Sequence, residues 1–244
     1  MSLRFEPLQQ AALYPDAFGV PAPTDAQPRD MWPRKLGVFL RAAAPAEGEV
    51  ALPPDTMPET SAPDASTPDA IAKPLASREL VLGQWGLVPP WVKSASDAKL
   101  RSPKLVNARS ETVSTSKNFY DAWTNGQRCI VPMMSFCVDD WRSGKAVPTR
   151  ITRVDGKPMG VAGLWELWKG KTEADTPIVS FTLLTVNANN HALMHRYEQQ
   201  GSEKRMPAIL NEGAYDAWLT VRHEKAREFM RAYAANWLTA NPVQ

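Results

Sequence analysis

The chain has 244 residues, 43% of them hydrophobic with nine tryptophans, and a formal net charge of +2, which is enough apolar material for one large packed domain. No run approaches the roughly 20 consecutive apolar residues of a bilayer crossing, and the opening MSLRFEPLQQ lacks the basic flank and apolar stretch of a secretory signal, so no membrane association and a cytoplasmic location are expected. Cys129 and Cys137 show no metal-ligand spacing and the only histidines are His191, His195 and His223, so two buried thiols and no metal or other cofactor are expected.

The first strand-like pattern is LGVFLRA at 36–42. Residues 42–77 then contain no aromatic residue and are dense in Pro, Ala, Ser and Thr, a composition that cannot bury enough apolar area to order itself. This predicts a disordered Pro/Ala-rich loop inserted into a single domain spanning 1–244, because what precedes it is too short to fold alone. The segment carries Glu47, Glu49, Asp55, Glu59, Asp64 and Asp69 against Lys73, a net of −5, which leaves the remainder at +7. A basic globular part is compatible with a polyanionic partner, although a solvated surface with no partner is the commoner explanation of a modest excess. Further short-period patterns follow at 79–89, 128–133, 149–154, 159–168 and 178–186. NFYDAW at 118–123 and EGAYDAWL after Asn211 read as short helical turns. Ala226, Phe229, Met230, Tyr233, Ala234 and Trp237 fall on one helical face, which predicts a core-packed helix over 223–238. The fold class expected is α+β, mainly antiparallel β with peripheral helices.

The polar residues concentrate in one place. Asn107, Arg109, Ser110 and Glu111 lie within five positions directly after apolar Leu105 and Val106, and strand alternation sends Asn107, Arg109 and Glu111 to one face. A guanidinium can clamp a phosphate through two hydrogen bonds while a neighbouring amide donates and accepts. An internal Arg109–Glu111 pair on a solvated strand is the alternative reading. Trp85 and Trp91 flank Pro89-Pro90; Trp85 is assigned to the core and Trp91 to the rim, where an exposed indole can stack on an unpaired base.

Taken in chain order, RF at 4–5, WGLVPPW at 85–91, NARSET at 107–112, FYDAW at 119–123, RCIVP at 128–132, AGLWE at 162–166, TLLTVNAN at 182–189, KRMPAIL at 204–210 and YDAWL at 215–219 resemble the SRAP family (SOS response-associated peptidase). The resemblance implies a compact, barrel-like, mainly antiparallel fold with a cleft for single-stranded DNA. It also implies capture of abasic sites, in which the aldehyde of the opened sugar reacts with an N-terminal cysteine. Arg4, Trp91, Asn107, Arg109, Thr185 and Arg205 match the positions that would hold DNA.

The reactive positions depart from the family. Ser2 stands where the family's MCGRF start has its cysteine; an α-amine with a pKa near 8 can still form a Schiff base, but a hydroxyl cannot close the ring as a thiol does. The glutamate of the family's GFYEW-like segment corresponds to Val138, or to Asp140 if the register is anchored on Trp141. Glu198 takes the place of the family's histidine, with His195 three residues earlier as a substitute only if the backbone there is helical. The reading that follows is a diverged SRAP-like protein of the DNA-damage (SOS) response that binds single-stranded or abasic DNA as a monomer, with weakened or lost chemistry. The alternatives are an active crosslinking or autoproteolytic enzyme using Ser2, and a scaffold for a protein partner reached through the acidic loop.

Overall fold

The computed structural model describes residues 4–43, 77–173 and 175–243. Twelve strands run in chain order among them: β1 (Phe5–Glu6), β2 (Leu36–Ala42), β3 (Arg78–Trp85), β4 (Asn107–Arg109), β5 (Arg128–Met133), β6 (Ser135–Asp140), β7 (Val147–Arg153), β8 (Met159–Trp168), β9 (Ile178–Asn187), β10 (Arg205–Pro207), β11 (Ile209–Leu210) and β12 (Leu238–Pro242). Four short helices lie between them: α1 (Leu13–Phe18), α2 (Ala95–Arg101), α3 (Tyr120–Thr124) and α4 (Tyr215–Thr220). None is long and apolar enough to cross a membrane.

The larger sheet runs β10-β9-β3-β2-β5-β8-β11, and a further β8–β9 pairing closes β9-β3-β2-β5-β8 into a five-stranded barrel. Pairing is antiparallel except where β3 and β4 lie parallel to β9, so the mainly antiparallel α+β expectation holds. Closure explains why β5 is buried at every position and β9 nearly so, because strands covered on both faces need no polar alternation. Gly163 sits where β5, β8 and β9 meet, and a Cβ there would come within 2.6 Å of the Thr182 carbonyl oxygen and 2.8 Å of Cys129 Sγ. Gly86, with φ of +117°, turns the chain out of β3 while its N–H donates to the Phe181 carbonyl, a conformation that a side chain resists.

Trp85 fills the core as expected, its ring 4.9 Å edge-on from Phe5 and its indole N–H donating to the Val106 carbonyl at 3.0 Å. A second antiparallel sheet, β1-β6-β7-β12, packs its Phe5, Phe136 and Ile151 into the same apolar cluster as the barrel residues. The β2–β3 hairpin ends in a hydrogen bond from Ala43 N–H to the Ser77 carbonyl, 2.7 Å. The central part of the expected 42–77 loop, residues 44–76, lies outside the described residues, whereas Ala42 belongs to β2.

The helix expected over 223–238 does not form. Residues 226–229 make a single 3₁₀ turn that ends at Met230, where ψ is 72°, a second turn covers Ala235–Trp237, and from Leu238 the chain pairs with β7 as β12. Strand pairing takes the end of the segment, and the apolar residues reach the core from an irregular strap instead: Ala226 is buried and Phe229 packs against Trp218 at 5.7 Å. Spacing of three and four residues marked burial only in part: Ala226, Phe229, Met230 and Tyr233 pack on the core, whereas Ala234 and Trp237 are exposed, because the chain leaves the helical path after Met230.

Candidate nucleic-acid interface

The barrel uses only the first part of β9. Beyond Leu183 the strand continues with β4 parallel on one side and β10 antiparallel on the other, so that Arg109 stands beside Thr185 and Arg205 beside Asn187. Three sequence blocks far apart in the chain, NARSET, TLLTVNAN and KRMPAIL, therefore become adjacent strands. Ala108 is fully buried between half-buried Asn107 and exposed Arg109, as alternation requires.

Arg205 is the centre of this group, with a side chain only 6% exposed. Its Nε donates to Thr185 Oγ1 (3.0 Å), Nη1 to Glu203 (2.6 Å), and Nη2 to both Glu111 (2.7 Å) and the Thr185 carbonyl (2.9 Å). Thr185 Oγ1 in turn donates to the Ala108 carbonyl at 3.2 Å, which ties β4 to β9. Arg109, 60% exposed, reaches the other oxygen of Glu203 at 3.1 Å, and Asn187 Nδ2 donates to Glu203 Oε1 at 3.2 Å. The Arg109–Glu111 pair is thus replaced by a crossed arrangement, Arg109 with Glu203 and Arg205 with Glu111. β4 ends at Arg109, Ser110 N–H bonds back to the Thr185 carbonyl, and the following turn carries Glu111 off the alternating face. Burial opposes ionisation of Glu111, but the Arg205 hydrogen bond and charge outweigh it and hold the carboxyl below its ordinary range.

The other predicted residues lie around this centre. Trp91 is half-buried at the rim, against the small cluster of Val88, Val92, Ala98 and Trp168. Its indole N–H donates to the Lys117 carbonyl at 3.2 Å, and the Arg101 guanidinium and Lys117 ammonium each stand 4.9 Å from its ring. The ring is therefore already engaged by cations that a base would have to share or displace. Arg4 lies just before β1 of the second sheet, where its Nε is 3.3 Å from Cys137 Sγ and 3.3 Å from Asp30, with Trp32 nearby. Ser2 lies outside the described residues.

Val138 is buried in the core, and Asp140 forms a close pair with Arg142, whose hydrogen bond lowers the Asp140 carboxyl. Glu198 adopts a left-handed backbone, φ of 65°, and its N–H donates to the Asp139 carbonyl at 2.7 Å, which fastens the connection before β10 to β6. That conformation is uncommon for a residue other than glycine. His195 is exposed, its Nδ1 2.8 Å from the His191 carbonyl. Both cysteines are free and buried, and burial raises both thiols above their ordinary range.

Sequence reasoning missed Glu203, Asn187 and Arg227. Arg227 donates to Ser114 Oγ at 2.6 Å, so the C-terminal strap adds a cation beside the NARSET turn. Glu203 stands two residues before Arg205 in a polar stretch without periodicity, and Arg227 falls within the segment read as a helix; neither carries a local pattern. Among the described residues no group of three His, Cys, Asp or Glu side chains could hold a metal ion. A cavity of about 720 Å³ lies elsewhere, beneath the strap between Arg153, Ile209 and Trp237, and includes none of the predicted residues. The Arg109 surface is open, a geometry suited to a polymer rather than to an enclosed small molecule.

Residues 40–244 match the family model for the SOS response associated peptidase, SRAP. The chain is similar to the abasic site processing protein YoqW of Bacillus subtilis, 32% identical over 166 residues that cover 66% of this chain and 67% of that one. It is also similar to the abasic site processing protein HMCES of Gallus gallus, 26% identical over 64% of this chain and 49% of that protein. Among solved structures, a Bordetella bronchiseptica protein superimposes with a TM-score of 0.81 at 35% identity, covering 100% of both chains. A Bacteroides thetaiotaomicron protein shares the fold, with a TM-score of 0.61 at 23% identity over 68% of this chain and 69% of that one.

Proposed function

The chain belongs to the SRAP family, and we propose that it binds single-stranded DNA, abasic sites included, in the DNA-damage response. The observation that carries this reading is the exposed Arg109, held on β4 beside the Thr185–Arg205 brace. A guanidinium fixed at its base, exposed, and held at its tip, among the described residues, only by the Glu203 carboxylate can take a backbone phosphate without regard to sequence. Asn107 on the same strand face and Arg227 across the NARSET turn extend the donor surface. Arg205 acts mainly as a positioning residue, since most of its donors already have protein acceptors. The names of YoqW and HMCES as abasic site processing proteins support the substrate class.

The chemistry that accompanies binding is weakened. Ser2 replaces the cysteine, Val138 has no titratable group, and Asp140 is engaged by Arg142. With Met1 removed, the amine of Ser2 can add to the sugar aldehyde and lose water to give an imine, which hydrolysis reverses because no thiol adds to it. Incubation with an abasic single-stranded oligonucleotide should therefore yield an adduct when borohydride is present, reducing the imine to an amine, and little or none that survives heating without it. A heat-stable adduct without reductant would overturn this account of the chemistry. Failure to bind single strands in a fluorescence titration would overturn the function itself.

A further inference from the structure

We infer that the Glu203 carboxylate is an internal stand-in for a backbone phosphate, seated in a cradle made by Arg109, Arg205 and Asn187 and displaced when a strand binds. This rests on the single-strand reading above and specifies how that site is regulated. The cradle is built from three strands, β4, β9 and β10: Arg109 Nη2 meets Oε2 at 3.1 Å, while Arg205 Nη1 and Asn187 Nδ2 meet Oε1 at 2.6 and 3.2 Å. A carboxylate and a phosphodiester present the same pattern to such donors, one negative charge spread over two oxygens. Without Glu203, these groups form an anion site on the face that the NARSET block exposes.

The tether favours exchange. Glu203 ends an exposed stretch running from Gln199 to Ser202, and its own side chain is one-third exposed, so the carboxylate can swing into water without breaking the core. Arg205 stays in place when it leaves, because Glu111 and both oxygen acceptors of Thr185 still hold it. Displacement then frees Arg109 and one edge of Arg205 together. The phosphate that enters replaces an anion instead of meeting a bare cation, which lowers both the affinity and the net charge neutralised on binding.

The test is Glu203→Gln in the full chain, titrated with a fluorescent single-stranded oligonucleotide across a salt series. Glu228→Gln, which removes the same charge from the strap without touching the cradle, is the control. The expected result is binding about fivefold tighter than wild type for Glu203→Gln, the scale of a partly exposed ion pair, with a log–log salt slope steeper by about 0.7, one single-strand phosphate. A gain for Glu203→Gln no larger than that for Glu228→Gln, with wild type binding normally, would overturn the stand-in and leave the single-strand reading intact. Absence of binding by wild type and both variants would overturn that reading, and the stand-in with it.

Discussion

Replacing Arg205 with Ala removes a side chain that joins β9 and β10 to the turn after β4, and its effect should differ in kind from that of Arg109→Ala. Arg205 is 6% exposed and makes four hydrogen bonds, two of them to carboxylates. Its loss leaves the Thr185 carbonyl without that donor, while Glu111 and Glu203, at 49% and 34% exposed, can recover water. The cost is therefore below that of a fully buried broken pair, about 3 kcal/mol, or about 6–12 °C in melting temperature for a chain of this size. Arg109, at 60% exposed with one ion-pair partner, should cost about 0.5 kcal/mol and about 1–2 °C. Thermal melts read the stability, and a single-strand titration reads the function: Arg109→Ala should weaken binding similarly for all sequences at nearly unchanged stability, whereas Arg205→Ala should lose both. An Arg205→Ala protein that melts with wild type would refute the brace, and equal destabilisation by the two variants would refute the division of labour.

The segment 45–74 emerges from the end of a closed hairpin, where Ala42 pairs with Arg78 and Ala43 bonds to Ser77. Deleting it and joining the ends through a short turn should leave the melting temperature within a few degrees of wild type, and a large fall in calorimetry would contradict the reading of it as an insertion in one domain. Burial raises the Glu166 carboxyl above its ordinary range, although Gln127 and the Leu167 N–H donate to Oε1 at 3.0 Å each. A folded-state pKa above the unfolded one gives stability that is full below the ordinary carboxylate pKa and is lost as pH rises through the raised value. Glu166→Gln should accordingly raise the melting temperature by about 2–4 °C at pH 8, the scale of 1 kcal/mol, and by nothing below about pH 4. The same gain at both pH values would show that charge is not the cause.

The strands LGVFLRA, RCIVPM, MGVAGLWELW and IVSFTLLTV were legible in the sequence because continuous or alternating apolar runs have few other ways to hide from water. β6 was not, since SFCVDD is apolar at one end and acidic at the other, and its identity as a strand comes from pairing with β1 and β7. The C-terminal strap was misjudged for a related reason: helical spacing marked inward-turning Ala226 and Phe229 but also exposed Ala234 and Trp237, because the backbone obeys the hydrogen-bond partners that β7 offers to β12.

The candidate site divides along the same line. Residue chemistry alone marked Arg109 and Asn107 as groups able to hold a phosphate, and the order of the motifs marked Thr185, Arg205 and the altered Ser2. Which charges meet was decided by the fold, because β9 carries β4 and β10 on opposite edges and so sets Arg205 against Glu111, and Arg109 against Glu203, across 94 positions of sequence for each pair. Ion pairs form between groups that the backbone brings within about 3 Å, and no local pattern in a chain encodes a distance between strands that only their pairing on the two edges of β9 makes neighbours.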